Sequence, residues 1–325
     1  MNNRNYSLDM VKIVAMLGVI CLHSTFRYIV PTTFTLADIL YRTAVVAIPL
    51  FFMTSGYLML GRENINYRYA LTKIAKIIRF VGIIVVSYWG LYSIKNQTFD
   101  LVLLLQYLEG AFLQDGPLSI FWYFGAMIII YALLPLLNRL YSERSQIFFG
   151  ILIALLLVCN IAFIGNIYCG FELEVSQPLR AWNWLFYFCL GGYVKTLPPR
   201  KISLLYIVLL LVGNIVLQIV TTPFIGVEYC EYFYSSIVVM LLVSILFKYI
   251  TDRTIKPSLL LKNLSLLFLP VYTIHMFVIQ YIWKHIYNMA GIVSPAVDWV
   301  IVSVISIICA YVIMKIPVVN KIFRL

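Results

Sequence analysis

Apolar stretches of about 20 residues recur along the whole chain, separated by short polar segments that are mostly basic. A helix needs about 20 apolar residues to cross a bilayer, so each stretch is a candidate span. The pattern predicts about ten, near residues 8–30, 37–60, 77–95, 117–137, 146–165, 181–195, 202–221, 232–250, 264–286 and 297–316, the sixth being short. Residues 99–116, FDLVLLLQYLEGAFLQDG, are apolar but interrupted by Glu109, and are expected to form an interfacial or re-entrant helix. The first span has an acid near its start and lacks a small-residue cleavage site, so it is expected to be retained. No repeat, linker or low-complexity tract divides the chain, and residues 1–325 read as a single transmembrane domain.

The composition agrees: 63% of residues are hydrophobic, 11% are charged, and the mean hydropathy is +0.95. A soluble domain of 325 residues is excluded on that balance. Charge placement then orients the spans. With the N-terminus cytoplasmic, the inner segments collect most of the lysines and arginines, including Arg62, Arg68, Lys73, Lys76 and Arg79 in one stretch. The outer segments keep Arg27, Arg42, Lys95, Arg180 and Lys284, and gather acids such as Asp100, Glu172, Glu228, Glu231 and Asp298. By the positive-inside rule this predicts an all-α polytopic membrane protein with both termini cytoplasmic. The net charge of +11 then reflects topology and anionic lipid, and gives no argument for nucleic acid.

The chemistry concentrates in the first span, where Lys12 and His23 lie eleven residues apart. They share one helical face, separated by roughly 16 Å along the axis. Ionisable groups inside a membrane usually face an interior cavity, which makes this face a candidate site. The plainer reading has Lys12 snorkelling to the interface and His23 packed in the core. Arg27 follows His23 by four residues and Arg42 opens the second span, both near the outer side. Lys73, Lys76 and Arg79 recur every three residues as a basic stripe: an ordinary headgroup anchor, or a site for an anionic, phosphate-bearing ligand. Trp122 and Tyr123 suit an interfacial aromatic belt, while Tyr131, Tyr272 and His275 fall deeper. Pro49 implies a kink in the second span, and Ser55 with Gly56 permits a close helix contact. The six cysteines form no framework and no metal-ligand spacing, although Cys169 and Cys230 would pair if close together in an oxidising compartment.

These residues carry a family resemblance. LDMVKIVAMLGVICLH resembles the first-helix signature of the bacterial integral-membrane acyltransferase family 3, in which a basic residue precedes a histidine by eleven. AIPLFFMTSGYLML, FWYFGAMIIIYALLPLL, FYFCLGGYV and LPVYTIHMFVI resemble that family's later motifs, in the family's order and from residue 7 to about 316. The resemblance implies ten helices and transfer of an acyl group, usually acetyl from acetyl-CoA, to a hydroxyl of a sugar or envelope glycan. It maps His23 onto the histidine that activates the acceptor, and Lys12 onto a position that is often arginine. Lys76 and Arg79 fall on a basic cluster implicated in acyl-CoA binding, with lysine at some arginine positions. The soluble extension of larger members is not expected here, which leaves acceptor recognition to the membrane domain.

Residues and resemblance converge on one expectation. Acyl-CoA docks its nucleotide on Lys73, Lys76 and Arg79 with help from Lys12, and presents its thioester near His23 as general base. Arg27 or Arg42 steadies the oxyanion or an acidic acceptor, while Trp122, Tyr131 and His275 line the acceptor cavity. A direct transfer is simplest, and an acyl-histidine route stays open. The expected setting is the bacterial cytoplasmic membrane. The partners are membrane lipid, acyl-CoA and an envelope glycan or lipid-linked sugar, with no metal, no nucleic acid and room for a homo-oligomer. The outer segments 96–116, 166–180 and 222–231 are expected to set acceptor choice. Two rivals remain: a transporter or flippase of a lipid-linked glycan, and a non-catalytic partner in an envelope complex.

Overall fold

The computed structural model describes residues 4–30, 33–287 and 294–323. In chain order the helices are α1 Tyr6–Thr25, α2 Leu36–Thr43, α3 Ala47–Met59, α4 Tyr67–Asn96, α5 Leu101–Leu113, α6 Trp122–Glu143 and α7 Ser145–Cys169. There follow α8 Ala181–Thr196, α9 Leu204–Ile225, α10 Ile237–Thr251, α11 Leu259–Leu266, α12 Phe268–Ile282, α13 Pro295–Ile313 and α14 Pro317–Ile322. Among the described residues there is no strand beyond a single bridge between Val30 and Thr33. The protein is an all-α polytopic membrane protein.

Among the described residues, seven stretches are long and apolar enough to cross a membrane: Tyr6–Tyr28, Leu36–Met59, Tyr67–Asn96, Leu101–Glu143, Ser145–Cys169, Leu204–Ile225 and Pro295–Ile313. The α11–α12 pair makes an eighth if its 60° bend is taken as one broken span. The expected ten exceed this number because α8 and α10, at two of the expected positions, have only 16 and 15 residues. Those lengths are about 24 and 22 Å, short of a hydrocarbon core of about 30 Å. Residues 99–116 form a separate 13-residue helix, α5, ended by Gln114 in a left-handed conformation. The kink expected at Pro49 falls one turn earlier, at the tight turn Ala44–Val46 between α2 and α3. Pro49 has no N–H to offer the carbonyl four residues back, which lies in that turn.

Helix α1 is the buried centre, packed against α2, α3, α10, α11, α12 and α13. Its first turn is capped by Asn5, which accepts from the N–H groups of Ser7 and Leu8 at 3.1 and 3.3 Å. Buried Asp9 takes two hydrogen bonds from Arg4, at 2.5 and 3.0 Å, and one from Ser265 at 2.9 Å, fastening α1 to α11. Helices α4, α7, α9 and α13 turn most of their residues outward, with exposed aliphatics such as Leu91, Leu157, Leu209 and Ile308. This is the division expected when a polar-bearing core is wrapped by lipid-facing helices.

Cys169 and Cys230, which could pair in an oxidising compartment, do not pair here. Cys169 is exposed and its thiol donates to the Gly165 carbonyl at 3.1 Å, whereas Cys230 is buried beside Tyr41, and both are free. Burial pushes the Cys230 thiol up to about 12, so it holds little of the thiolate that disulfide exchange needs. The 170–180 segment folds inward around Glu172, which is fully buried. Its carboxylate accepts from Asn166, Trp182, Asn183 and Ser235 at 2.5, 2.9, 3.2 and 2.8 Å. Every partner is a donor, so Glu172→Gln puts an amide N–H₂ against donors. We expect a loss of about 2 kcal/mol or more, read as a lower Tm of the detergent-purified protein; an unchanged Tm would show that these bonds do not hold the segment.

Candidate functional site

On α1 the positions 12, 16, 19, 20 and 23 recur at intervals of three or four and share one side of the helix. Lys12, at the start of that row, lines a cavity of about 470 Å³. The other walls are Phe51 and Ser55 from α3, Lys73 and Ile77 from α4, and Tyr123, Phe124, Met127 and Tyr131 from α6. Ser265 and Leu266 of α11, Phe268, Leu269 and Tyr272 of α12, and Phe323 after α14 close it. The volume suits a small-molecule site, and the lining is the usual mixture of apolar wall and few polar groups. Lys12 makes no hydrogen bond within the described residues, because Asp9 is already held by Arg4 and Ser265. Its ammonium is therefore available to a ligand. The Tyr272 hydroxyl donates to the Ile120 carbonyl, which fixes its ring as a wall.

Beside the cavity lies a closed gap too small for a water molecule, lined by Met16, Val19, Ile20, Phe51, Phe268, Val271, Tyr272 and His275. Phe51, Phe268 and Tyr272 belong to both. His275 is fully buried, and its Nδ1 lies 2.7 Å from the Tyr272 carbonyl and 3.3 Å from that of Val271. A carbonyl only accepts, so this geometry assigns the proton to Nδ1 and leaves Nε2 as the acceptor. That Nε2 is buried with no partner among the described residues. The half-buried His23 ring packs against the His275 ring, with centroids 5.2 Å apart and planes inclined by 42°. The lysine-lined cavity and the histidine pair thus stand along one side of α1, with Phe51, Phe268 and Tyr272 packed between them.

The sequence profile of the acyltransferase domain known as acyltransferase family 3 matches residues 5–315. The chain belongs to this family. Two curated relatives, both called "Amino-acid racemase" and both from Enterococcus faecalis, are also similar. One is 25% identical over 97% of this chain and 47% of its own length. The other is 28% identical over 61% of this chain and 29% of its own. The chain spans less than half the length of either relative. No solved structure matches it.

Within this family member, the residues singled out from sequence separate into three groups. Lys12, Lys73 and Tyr131 line the cavity, and His23 meets His275 beyond it. Lys76 is half-buried and Arg79 exposed, outside the lining, because steps of three residues carry the stripe about 120° around α4 between Lys73 and Arg79. Arg27, one turn past His23, is stacked 3.9 Å over the ring of Trp283, whose indole N–H donates to Asp298 at 3.3 Å.

The third group lies elsewhere. Arg42 is buried between Asp38 at 3.4 Å and Glu228 at 3.0 Å, on the wall of a separate pocket of about 250 Å³ shared with Thr222. Trp122 packs on Trp184, with ring centroids 5.0 Å apart, and its neighbour Tyr123 lines the cavity instead. Phe51, Ser55, Ser265 and Phe323 were not singled out as lining residues. Their only local signal is membership of apolar runs, and what brings them together is long-range packing. Among the described residues no group of three or more His, Cys, Asp or Glu side chains is arranged to hold a metal ion.

Proposed function

We propose that this membrane acyltransferase moves an acyl group, in the simplest case acetyl, from cytosolic acyl-CoA to a hydroxyl of an envelope sugar or lipid-linked glycan. The setting is the bacterial cytoplasmic membrane. The observation that carries the reading is the alignment along α1 of the cavity at Lys12 and Lys73 with the histidine pair. The cavity takes the acyl-pantetheine arm, while the nucleotide and its phosphates stay at the basic mouth, where Lys76 and Arg79 extend the positive surface. An ammonium without a hydrogen-bond partner is well suited to a phosphate or a polarised carbonyl.

At the far end of that row on α1, His23 takes the proton of the acceptor hydroxyl as its oxygen bonds to the thioester carbon. Arg27 supports the negative charge that develops on the carbonyl oxygen. The tetrahedral intermediate collapses, the C–S bond breaks, and the imidazolium returns the proton to the CoA thiolate. Arg42 is matched by two carboxylates, so the pocket it shares with Asp38, Thr222 and Glu228 favours a neutral, hydroxyl-rich acceptor over an acidic one. Tyr131 belongs to the donor side in this account. The racemase name of the relatives describes proteins of which this chain spans less than half, so the proposal rests on the family and the alignment along α1 instead.

Calorimetric titration of detergent-purified protein with acetyl-CoA tests the reading. Lys12→Ala and Lys73→Ala are each expected to weaken binding about tenfold, the size of one charge-assisted hydrogen bond. Arg79→Ala, outside the cavity, is expected to do less. Binding that ignores both lysines removes the cavity from the donor site. A wild-type protein that binds no acetyl-CoA turns the reading to the glycan flippase.

A further inference from the structure

The fully buried His275 has one nitrogen satisfied and one not. Nδ1–H donates to the Tyr272 carbonyl at 2.7 Å, and Nε2 meets no donor. A buried acceptor left unpaired is costly, so the donor that completes it has to come from the immediate surroundings. Met16, Val19, Ile20, Phe51, Phe268 and Val271, which share its gap, carry no side-chain N–H or O–H. The remaining polar neighbour there, Tyr272, gives its hydroxyl proton to Ile120. The ring beside His275 is His23, itself without a hydrogen bond among the described residues. An edge-to-edge N–H···N bond of about 2.9 Å separates two imidazole centroids by roughly 5 Å. The observed 5.2 Å already meets that spacing. A rotation of the His23 ring within its 42° inclination is the motion that aligns the pair.

We propose that His275 is a positioning residue for His23: its Nε2 accepts the ring N–H of His23, leaving the other His23 nitrogen with its lone pair for the acceptor hydroxyl. The order is then Tyr272 carbonyl, His275, His23, acceptor. Each proton location is dictated by the acceptor behind it. This is the arrangement in which a base is oriented by a third group, with a carbonyl-anchored histidine in place of a carboxylate. A neutral orienter fixes tautomer and direction without placing an anion in the membrane interior. The catalytic half of the inference rests on the acyl-transfer reading; the hydrogen bond itself does not.

The test uses the full chain purified in detergent, with acetyl-CoA as donor and water as acceptor, turnover being read as free CoA thiol. His275→Leu is expected to lower kcat by about 10- to 100-fold, the usual effect of losing an orienting partner, with acetyl-CoA affinity changed less than twofold. His275→Gln places an amide oxygen near the Nε2 position and is expected to recover most of that loss. Solid-state NMR of ¹⁵N-histidine-labelled wild type is expected to show His275 Nε2 unprotonated and coupled across a hydrogen bond to a His23 N–H. Wild-type kcat in His275→Leu, a glutamine variant no better than leucine, or a protonated or uncoupled Nε2 overturns the proposal. If His275→Leu does not fold, the glutamine variant and the wild-type spectrum decide. A wild type with the coupled pair but no thioester turnover defeats the acyl-transfer reading and leaves the hydrogen bond standing.

Discussion

His23→Ala is expected to keep acetyl-CoA binding within about twofold of wild type and to lower thioester turnover by about 10²- to 10⁴-fold, the range for a general base. The two halves have separate structural grounds. On the proposed reading, binding depends on the cavity, whose lining includes Lys12, Lys73 and Tyr131 but not His23. On the same reading turnover depends on the His23 lone pair, and alanine supplies none. Truncation leaves His275 with its free Nε2 in place, so a second imidazole still stands in the gap. On the proposed arrangement His275 acts only through His23, so His23→Ala combined with His275→Leu is expected to fall little below His23→Ala alone. Two separately additive losses would mean that each histidine acts on its own. Turnover unchanged in His23→Ala, with binding intact, removes His23 from the chemistry altogether.

Much of the scaffold behind this chemistry is legible in local sequence, because span length, charge asymmetry and helix breakers are short-range signals. The row 12, 16, 19, 20 and 23 on α1 follows from helical spacing alone; Lys12 borders the cavity, Met16, Val19 and Ile20 border the gap, and His23 packs on His275. The pairing of His23 with His275 has no local signal, since it depends on α1 packing against α12 some 250 residues later. Arg42 makes the same point in one side chain. Asp38 is its neighbour at helical spacing four, whereas Glu228 arrives from 186 residues away. An arginine that reads as available from its own helix is matched by charge from another. Trp122 and Tyr123 are adjacent in sequence and about 100° apart on α6, and the helix rotation sends one to Trp184 and the other to the cavity. Cys169 and Cys230 share a polar, extramembrane character, yet one faces out and the other packs inside.

Gly56→Ala and Gly191→Ala are each expected to prevent recovery of folded protein, and the reason ties the scaffold to the site. Helices α3 and α8 cross backbone to backbone. A Cβ on Gly56 would overlap the Phe188 carbonyl, and one on Gly191 would overlap the Met53 carbonyl. Both obstacles are main chain, so no rotamer relieves them, and the helices have to separate. Overpacking of a core costs about 1–3 kcal/mol when side chains can shift, and here the whole interface moves. Small residues at such crossings supply the close contact that holds helices together in lipid. Separation also carries away Phe51 and Ser55, which α3 contributes to the cavity, and loosens the stack of Phe52 on Trp184 at 4.7 Å. Gly90→Ala on α4 and Gly150→Ala on α7 are the controls, since an added Cβ meets nothing within 4 Å at either site. They are expected to leave folding unchanged or improve it by about 1 kcal/mol or less, as alanine is the better helix former. Size-exclusion profiles and Tm in detergent read all four variants. Gly56→Ala and Gly191→Ala proteins as monodisperse and as heat-stable as the two controls would mean that α3 and α8 do not meet along this line, and that the cavity wall they support is formed differently.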